Sequence, residues 1–598
     1  MPRSTPPLAR ALRALAHVTL AGACALAVQA VRAQEPSVLT VPQLAQLESA
    51  DPQRGFDQTV EQVVRQLYST LLTYAYLERP YKLAPDLLES MPVLGADKLT
   101  YTFKLRKGVR FVDNACFPGG KGRELTADDV LYTIHRYADA SVNNRSFFAM
   151  AGAVVGLDAY RAATARAGPA ADLSKTDVAG LHKVDKYTFT IKLTHENPLF
   201  LYALTIASTA IVPVEAVQFY KDKFSLNPVG TGPFMATTPI DRKGTLHLLK
   251  NPNYYRVYPS VGMPGDAEKG LLKDAGKKLP LVDVLDMPLI EEAQPAALKF
   301  LRGEVDKRNL DRANFTKMVA RAPDGTPQLV AEYAGKFNLF NAPAGNMVFI
   351  NVNMRDPVLG KNKLLRQAIA AAIDANAIVN VIWNGRGIPL NSVVPVDLAG
   401  NEHDTAAPPR KRDLALAKRL LAEAGYPDGK GLPPLTVRHA AIDTDTRNEF
   451  DMIKAQVAAI GVQLVGDFND TPTFTKAMDA GNFQLAYYAW YADYPDAEDF
   501  YQLVYSKNVA PGPNSGAFAN AAYDKGYEVA RAMVNGPQRY ELFKQLNAIL
   551  RDEVPLIPVY ESMRSDSVQK WVGNYRRNIF TTEMQFMSVD MAAKKKGL

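Results

Sequence analysis

At 598 residues, with 47% hydrophobic and 22% charged side chains, the chain is too long for one ordinary core and too average for extensive disorder or collagen-like repeats. Its 69 basic and 62 acidic residues are intermixed, so the net charge of +7 supplies no basic stripe for a nucleic-acid partner. Two cysteines, Cys24 and Cys116, exclude a disulfide-stapled scaffold.

Arg3, Arg10 and Arg13 precede an apolar run from Ala14 to Val31, which closes on Val31-Arg32-Ala33. This is the layout of a secretory signal over residues 1–33. Cleavage after Ala33 removes four arginines, lowers the charge from +7 to +3, and leaves Cys116 as the mature chain's thiol. A retained anchor and a lipidated Cys24 in Leu20-Ala21-Gly22-Ala23-Cys24 are the alternatives. Past the signal no segment reaches about 18 uninterrupted apolar residues, so the expectation is a soluble, exported, periplasmic protein.

In chain order, Leu99–Phe111 reads as a hairpin strand. It feeds a helix capped by Thr126, with Asp128 and Asp129 in the first turn, where the helix dipole favours negative charge. Between them Asp113–Arg123 forms a loop that holds Cys116. Gly230-Thr231-Gly232-Pro233 reads as a tight turn that uses the conformational freedom of glycine. The Pro/Gly-rich stretches 258–282 and 388–410 read as surface insertions or linkers. Met347–Asn353 is a strand expectation. A long helix follows from about Asn362 to Trp383, with core positions 365, 368, 369, 372 and 373, and Arg366 as a solvated or packing residue. Asp413 caps a helix over Leu414–Ala424 that Gly425 ends. Then come a strand at Leu435–Ala440, a helix at Glu449–Ile460 stopped by Gly461, and strands at Val462–Val465 and Phe483–Trp490. This alternation is that of an α/β lobe, and no period of about 20 to 50 residues suggests a solenoid.

Catalytic motifs are missing: there is no G-x-S-x-G elbow, no H-E-x-x-H helix and no Walker A loop. Glu402-His403-Asp404 is the only local histidine cluster and reads as a solvated loop rather than a metal site. The expectation is therefore no catalytic residue, no metal and no cofactor, although a carboxylate pair assembled by folding stays open from sequence alone.

Several motifs in chain order resemble one family, the extracellular solute-binding proteins of family 5, the peptide- and nickel-type receptors of ABC importers. They are Leu99–Phe111 with Leu125–Val130, Gly230–Phe234, Lys250–Tyr255, Ala296–Asp306, Leu364–Asp374, Arg539-Tyr540 and Val554–Tyr560. Ala489-Trp490-Tyr491-Ala492-Asp493-Tyr494 looks like the W-x-A-D-Y segment of its oligopeptide- and dipeptide-binding members.

The resemblance implies an α/β, two-lobed periplasmic-binding-protein fold of class II, type C, with a hinge and an extra domain. Domain I is expected over 35–77, 206–345 and 560–598, domain II over 78–205, and domain III over 346–559. It implies capture of a small peptide or similar amine-bearing solute and delivery to a membrane permease with separate ATPase subunits, by a monomer that performs no chemistry. Carried over residue by residue, it implies that Asp493 pairs with the ligand α-ammonium, that the backbone of Ala489 and Tyr491 hydrogen-bonds an extended ligand, and that Trp490 contacts it. A primary amine enclosed away from water does need a carboxylate, and a strand beside an extended ligand does satisfy its backbone. The competing reading has Asp493 cap the loop before Pro495, with Trp490 in the core. Relatives also bind opines, oligosaccharides, haem or nickel complexes, and an exported hydrolase of peptides or glycosides is a further alternative.

Overall fold

In a computed structural model the described residues are 35–597, apart from 44, 56–57, 168–176, 324–325, 397, 399–410 and 442. The expected signal, Cys24 and His403 lie outside them. Three sheets carry the architecture. In the first, Val38–Thr40 runs parallel to Val284–Met287, which continues antiparallel through Leu246–Lys250 to Phe234–Ala236. The second is antiparallel, in the order Val93–Leu94, Thr100–Lys104, Thr188–Lys192, Leu181–Lys183. Both back onto one continuous core that includes Leu39, Phe103, Phe189 and Phe234.

The third sheet has eight strands. Its path runs Lys307–Asn309, Leu556–Gln569, Asn346–Val352, Leu485–Tyr491, Leu435–His439, Leu464–Phe468, with Phe337–Pro343 and Gly387–Pro389 also pairing the long Leu556–Gln569 strand. That strand of 14 residues joins the two lobes. Leu556–Tyr560 pairs with Asn346–Val352, whereas Met563–Gln569 pairs with Phe337–Pro343. A register shift between Val348 and Phe349, opposite Pro558, bends it where the lacking N–H of proline costs least. Two cores flank this sheet, one built on Ile350, Ile369, Leu421 and Val457, the other on Phe349, Tyr501, Phe543 and Leu390. The chain is thus a two-lobed α/β molecule with an additional small sheet.

Most local expectations hold to within a few residues. Asp413 accepts the Leu416 N–H at 2.9 Å and starts Leu414–Glu423, and Gly425 follows with φ +94°. The Thr126 N–H donates to Asp129 at 2.9 Å ahead of Ala127–Ala138. The expected helix Glu449–Ile460 starts earlier, as Thr444–Ala458, because Asp443 accepts the Thr446 N–H at 3.0 Å and caps it. The strand expected at Val462–Val465 lies at Leu464–Phe468.

Three expectations need correction. The single helix Asn362–Trp383 is broken: Lys363–Ala372 ends at Ile373, and a second segment, Ala375–Ala377 continued by a wide turn over Ile378–Ile382, departs by 42°. The Asp374 carboxylate takes the Ala377 N–H at 3.0 Å, a local cap that competes with helix continuation. Residues 388–398 are no linker, because Leu390, Val393, Val394 and Leu398 are buried in the second core of that lobe. Gly230 and Gly232 do not need left-handed backbone; a Cβ at either would collide with the backbone of Leu67, so the requirement is close approach. Arg366 is a packing residue, buried and donating to the carbonyls of Leu359, Gly360 and Glu553 at 2.6–2.9 Å. The 258–282 insertion is tied down by Asp266 to Arg576 at 2.6 Å and by buried Tyr258 and Leu279.

Candidate functional site

The strand Leu485–Tyr491 forms because seven consecutive apolar or aromatic residues suit a strand buried in mid-sheet. On one side it pairs antiparallel with Asn346–Val352 over its full length, Asn346 facing Tyr491 and Val352 facing Leu485. On the other side its parallel neighbour stops at the His439–Tyr487 pair. Among the described residues, Tyr488–Tyr491 therefore has one open edge. The Ala492 N–H donates to Gly345 at 2.8 Å, which fixes the phase of the antiparallel ladder. Alternation then points the N–H and C=O groups of Ala489 and Tyr491 to the open side.

Two residues past the end of the strand lies Asp493. Its Oδ2 is buried and accepts no hydrogen bond. Burial pushes the carboxyl up from the ordinary range to about 7, and the charge of Glu61, on the helix Gln58–Leu67 of the opposite lobe, adds to the shift. Glu61 itself is held by Arg65 at 2.6 Å. Tyr137, from the helix Ala127–Ala138, also feels the Asp493 charge. No cation of the described residues pairs with Asp493.

The loop cap is a different acid. Asp499 Oδ2 accepts the Asp493 N–H at 2.9 Å and the Trp490 Nε1–H at 3.2 Å, while its Oδ1 accepts from Gln502 at 2.9 Å. Burial, then the neighbouring Asp493 charge, hold the Asp499 carboxyl well above the usual carboxylate range. Asp496 fixes the same loop from below through a fully buried pair with Arg539, at 2.6 and 2.8 Å. The cap role considered for Asp493 thus belongs to Asp499 and Asp496. Trp490 is half-buried, packs beside the second core and spends its N–H on Asp499. Tyr491 is 40% exposed, with the Arg564 guanidinium 6.0 Å from its ring centre. Ala489 packs beside the first core while its backbone faces the open edge.

Sequence reasoning missed Asp499, Glu61 and the residues that bring the lobes together. Tyr202 stacks on Tyr494 with ring centres 5.8 Å apart. Arg312 meets Asp445 at 2.9 Å, and Arg145 meets Asp479 at 3.7 Å. Each of these contacts joins residues on facing sides of the cleft. Among the described residues no group of three or more His, Cys, Asp or Glu converges as a metal site.

Comparison with known proteins agrees with this architecture. The family model of bacterial extracellular solute-binding proteins, family 5, matches residues 82–512. The chain is 24% identical over 507 residues to the di/tripeptide-binding protein 3 of Pseudomonas aeruginosa, covering 83% of this chain and 84% of that one. It is 25% identical over 527 residues to heme-binding protein A of Haemophilus influenzae, covering 86% and 85%. Its fold is similar to the ABC transporter-associated periplasmic binding protein DppA of Helicobacter pylori in complex with the peptide STSA, with a TM-score of 0.72 at 21% identity, over 92% of this chain and 98% of that one. A two-lobed fold, a cleft with an open strand edge and a family match over most of the length lead to one assignment: the chain belongs to the bacterial extracellular solute-binding proteins of family 5.

Proposed function

We propose that this protein is the exported receptor of an ABC importer, which captures a short peptide between its lobes and presents it to a membrane permease powered by separate ATPase subunits. The observation that carries the reading is the Asp493 carboxylate: buried on one oxygen, unpaired, and placed at the end of an open strand edge. A buried anion without a partner is costly, and the α-ammonium of a peptide supplies the partner. The backbone groups of Ala489 and Tyr491 then pair with the first residues of the ligand by strand addition. Trp490 and Tyr491 flank that position. A ligand held at Asp493 that also meets the lobe of Glu61, whose charge Asp493 senses, gains the differential affinity that closure requires. The same reading places the protein in the periplasm, as a monomer that binds and releases its ligand unchanged. Domain I over 35–77, 206–345 and 560–598, domain II over 78–205 and domain III over 346–559 are the units proposed to move.

Calorimetric titration tests this. Asp493→Asn removes the charge at nearly constant shape, leaves the ammonium unpaired at a cost of about 3–5 kcal/mol, and is expected to lower affinity by about two to four orders of magnitude. Acetylating the ligand amine is expected to weaken the wild type strongly and the variant little, since both changes remove one pair. Simple additivity of the two losses refutes the ammonium anchor.

A further inference from the structure

A polar cavity of about 330 Å³ lies well away from the open edge. Its rim strand, Gly387–Pro389, pairs with Leu556–Gln569, which pairs with Asn346–Val352, and only the next strand, Leu485–Tyr491, carries the edge. Asn376, Asn380 and Asn384 recur every four residues along one wall. An α-helix lets that spacing drift round its axis, but the wide turn Ile378–Ile382 takes more residues per turn and offsets the drift, so the three asparagines fall in one row. The row ends where Asn384, at φ +51°, and Gly385, at φ +73°, turn the chain and the Gly385 N–H returns to the Val379 carbonyl at 2.9 Å.

The facing wall is Arg321, at the end of the strand Val319–Arg321, whose Nη2 donates to the Asn384 carbonyl at 3.4 Å. A Cβ at Gly385 would stand 1.7 Å from that nitrogen, so the guanidinium occupies the space where a side chain at 385 would begin. Val379 and Pro389 add the apolar part of the lining.

These groups select a ligand chemistry. A carboxamide offers one acceptor and two donors, which suits a hydroxyl that both accepts and donates. Asn376 and Asn380 give their amides to no described residue, and Asn384 spends only its Nδ2, on Thr316 at 3.4 Å. Among the described residues no Asp or Glu lines the cavity to take an ammonium. Three amide oxygens disfavour an anion beside one guanidinium that is already turned to a carbonyl. The volume sits at the low end of small-molecule sites, about 300–1,000 Å³. We propose that this cavity binds a neutral polyhydroxyl molecule of monosaccharide size, with its hydroxyls on the asparagine row and Arg321 and a C–H face on Val379 and Pro389. The site is separate from the one proposed for the peptide.

The test is saturation-transfer NMR on the whole protein with millimolar D-glucose, D-galactose, D-mannose and myo-inositol, and with cyclohexanol as a ring of the same size that carries one hydroxyl. At least one polyol is expected to receive transfer and cyclohexanol none. Joint Asn376→Ala and Asn380→Ala substitution, at two exposed positions, is expected to weaken polyol binding by about 10-fold or more while the melting midpoint and the affinity for Ala-Ala stay as in the wild type. Asn380→Asp, which keeps the shape and loses the donors, is expected to act in the same direction. Excess Ala-Ala is expected to leave the polyol signal in place. Absence of transfer to all four polyols overturns the proposal, as does equal transfer to cyclohexanol. Transfer that the folded variants leave unchanged, or that Ala-Ala abolishes, overturns it too, because the polyol then lies elsewhere.

Discussion

A carboxylate kept without a partner for the sake of a ligand should weaken the protein that carries it, and Asp493 allows this to be measured. Its folded-state pKa is about 7, against an ordinary 3.8. Between those values the folded chain binds a proton that the unfolded chain releases, so the stability of the ligand-free protein falls as pH rises across that window. Below about pH 4 both states are protonated and the penalty vanishes; above pH 7 it is complete. The interval corresponds to about 4 kcal/mol at most, and relaxation of the loop reduces it. Asp493→Asn cannot ionise and gives up no hydrogen bond at Oδ2. The variant is therefore expected to be more stable than the wild type at pH 8, by about 2–4 kcal/mol in the lobe that carries the site, and equal to it at pH 4. The neutral side chain also relieves Asp499, whose carboxyl is raised in part by the Asp493 charge. Thermal unfolding of the ligand-free proteins at pH 4, 6 and 8 reads the effect directly. A variant that melts lower than the wild type at pH 8, as loss of a loop cap worth about 1 kcal/mol would produce, refutes the reasoning.

Asp496→Ala is expected to lose about 3–5 kcal/mol by denaturant unfolding, because Arg539 is left buried and unpaired. Converting Arg539 to Met in the same protein should recover most of that loss. Gly232→Ala is expected to cost about 1–3 kcal/mol or to prevent folding, since its Cβ meets the Leu67 backbone rather than a movable side chain. Arg312→Ala removes its ion pair with Asp445 and is expected to raise the radius of gyration of the ligand-free protein in solution scattering while leaving its melting midpoint nearly unchanged. A superimposable scattering curve argues that the pair contributes nothing to closure.

How much of this was legible in the sequence depends on how local the responsible interaction is. The helix at Leu414 could be read because Asp413 and Gly425 act within one turn of its ends. The strand at Leu485 could be read because an aromatic run has no other place to go. The break at Asp374 could not, because the apolar repeat runs on through Ile378, Val379 and Ile382, and the repeat carries no record of a side chain that satisfies its own neighbour's N–H. Burial of Leu390 and Leu398 was hidden by the prolines around them, which are turn signals whether the turn is exposed or packed. Asp493 could be singled out because Trp490-Tyr491-Ala492-Asp493-Tyr494 resembles the family's W-x-A-D-Y segment. Its surroundings could not: Glu61 lies more than four hundred residues earlier, and Asp499 became a cap only through the bend at Pro495.

The open edge at Tyr488–Tyr491 has a consequence outside ligand capture. An unpaired strand edge with aromatic side chains is a template for any extended chain, including a second copy of this protein. Four residues span only about 13 Å, too little for a stable intermolecular sheet. The chain also ends the edge with Asp493 and, two residues on, Pro495, a charge and a residue without an N–H, which are the devices that keep sheet edges from propagating. Neutralising Asp493 would therefore exchange one hazard for another. The molecule would melt at a higher temperature, yet at high concentration it would be the more prone to self-association, and the partner lost at the end of the strand would be replaced by a neighbour of its own kind.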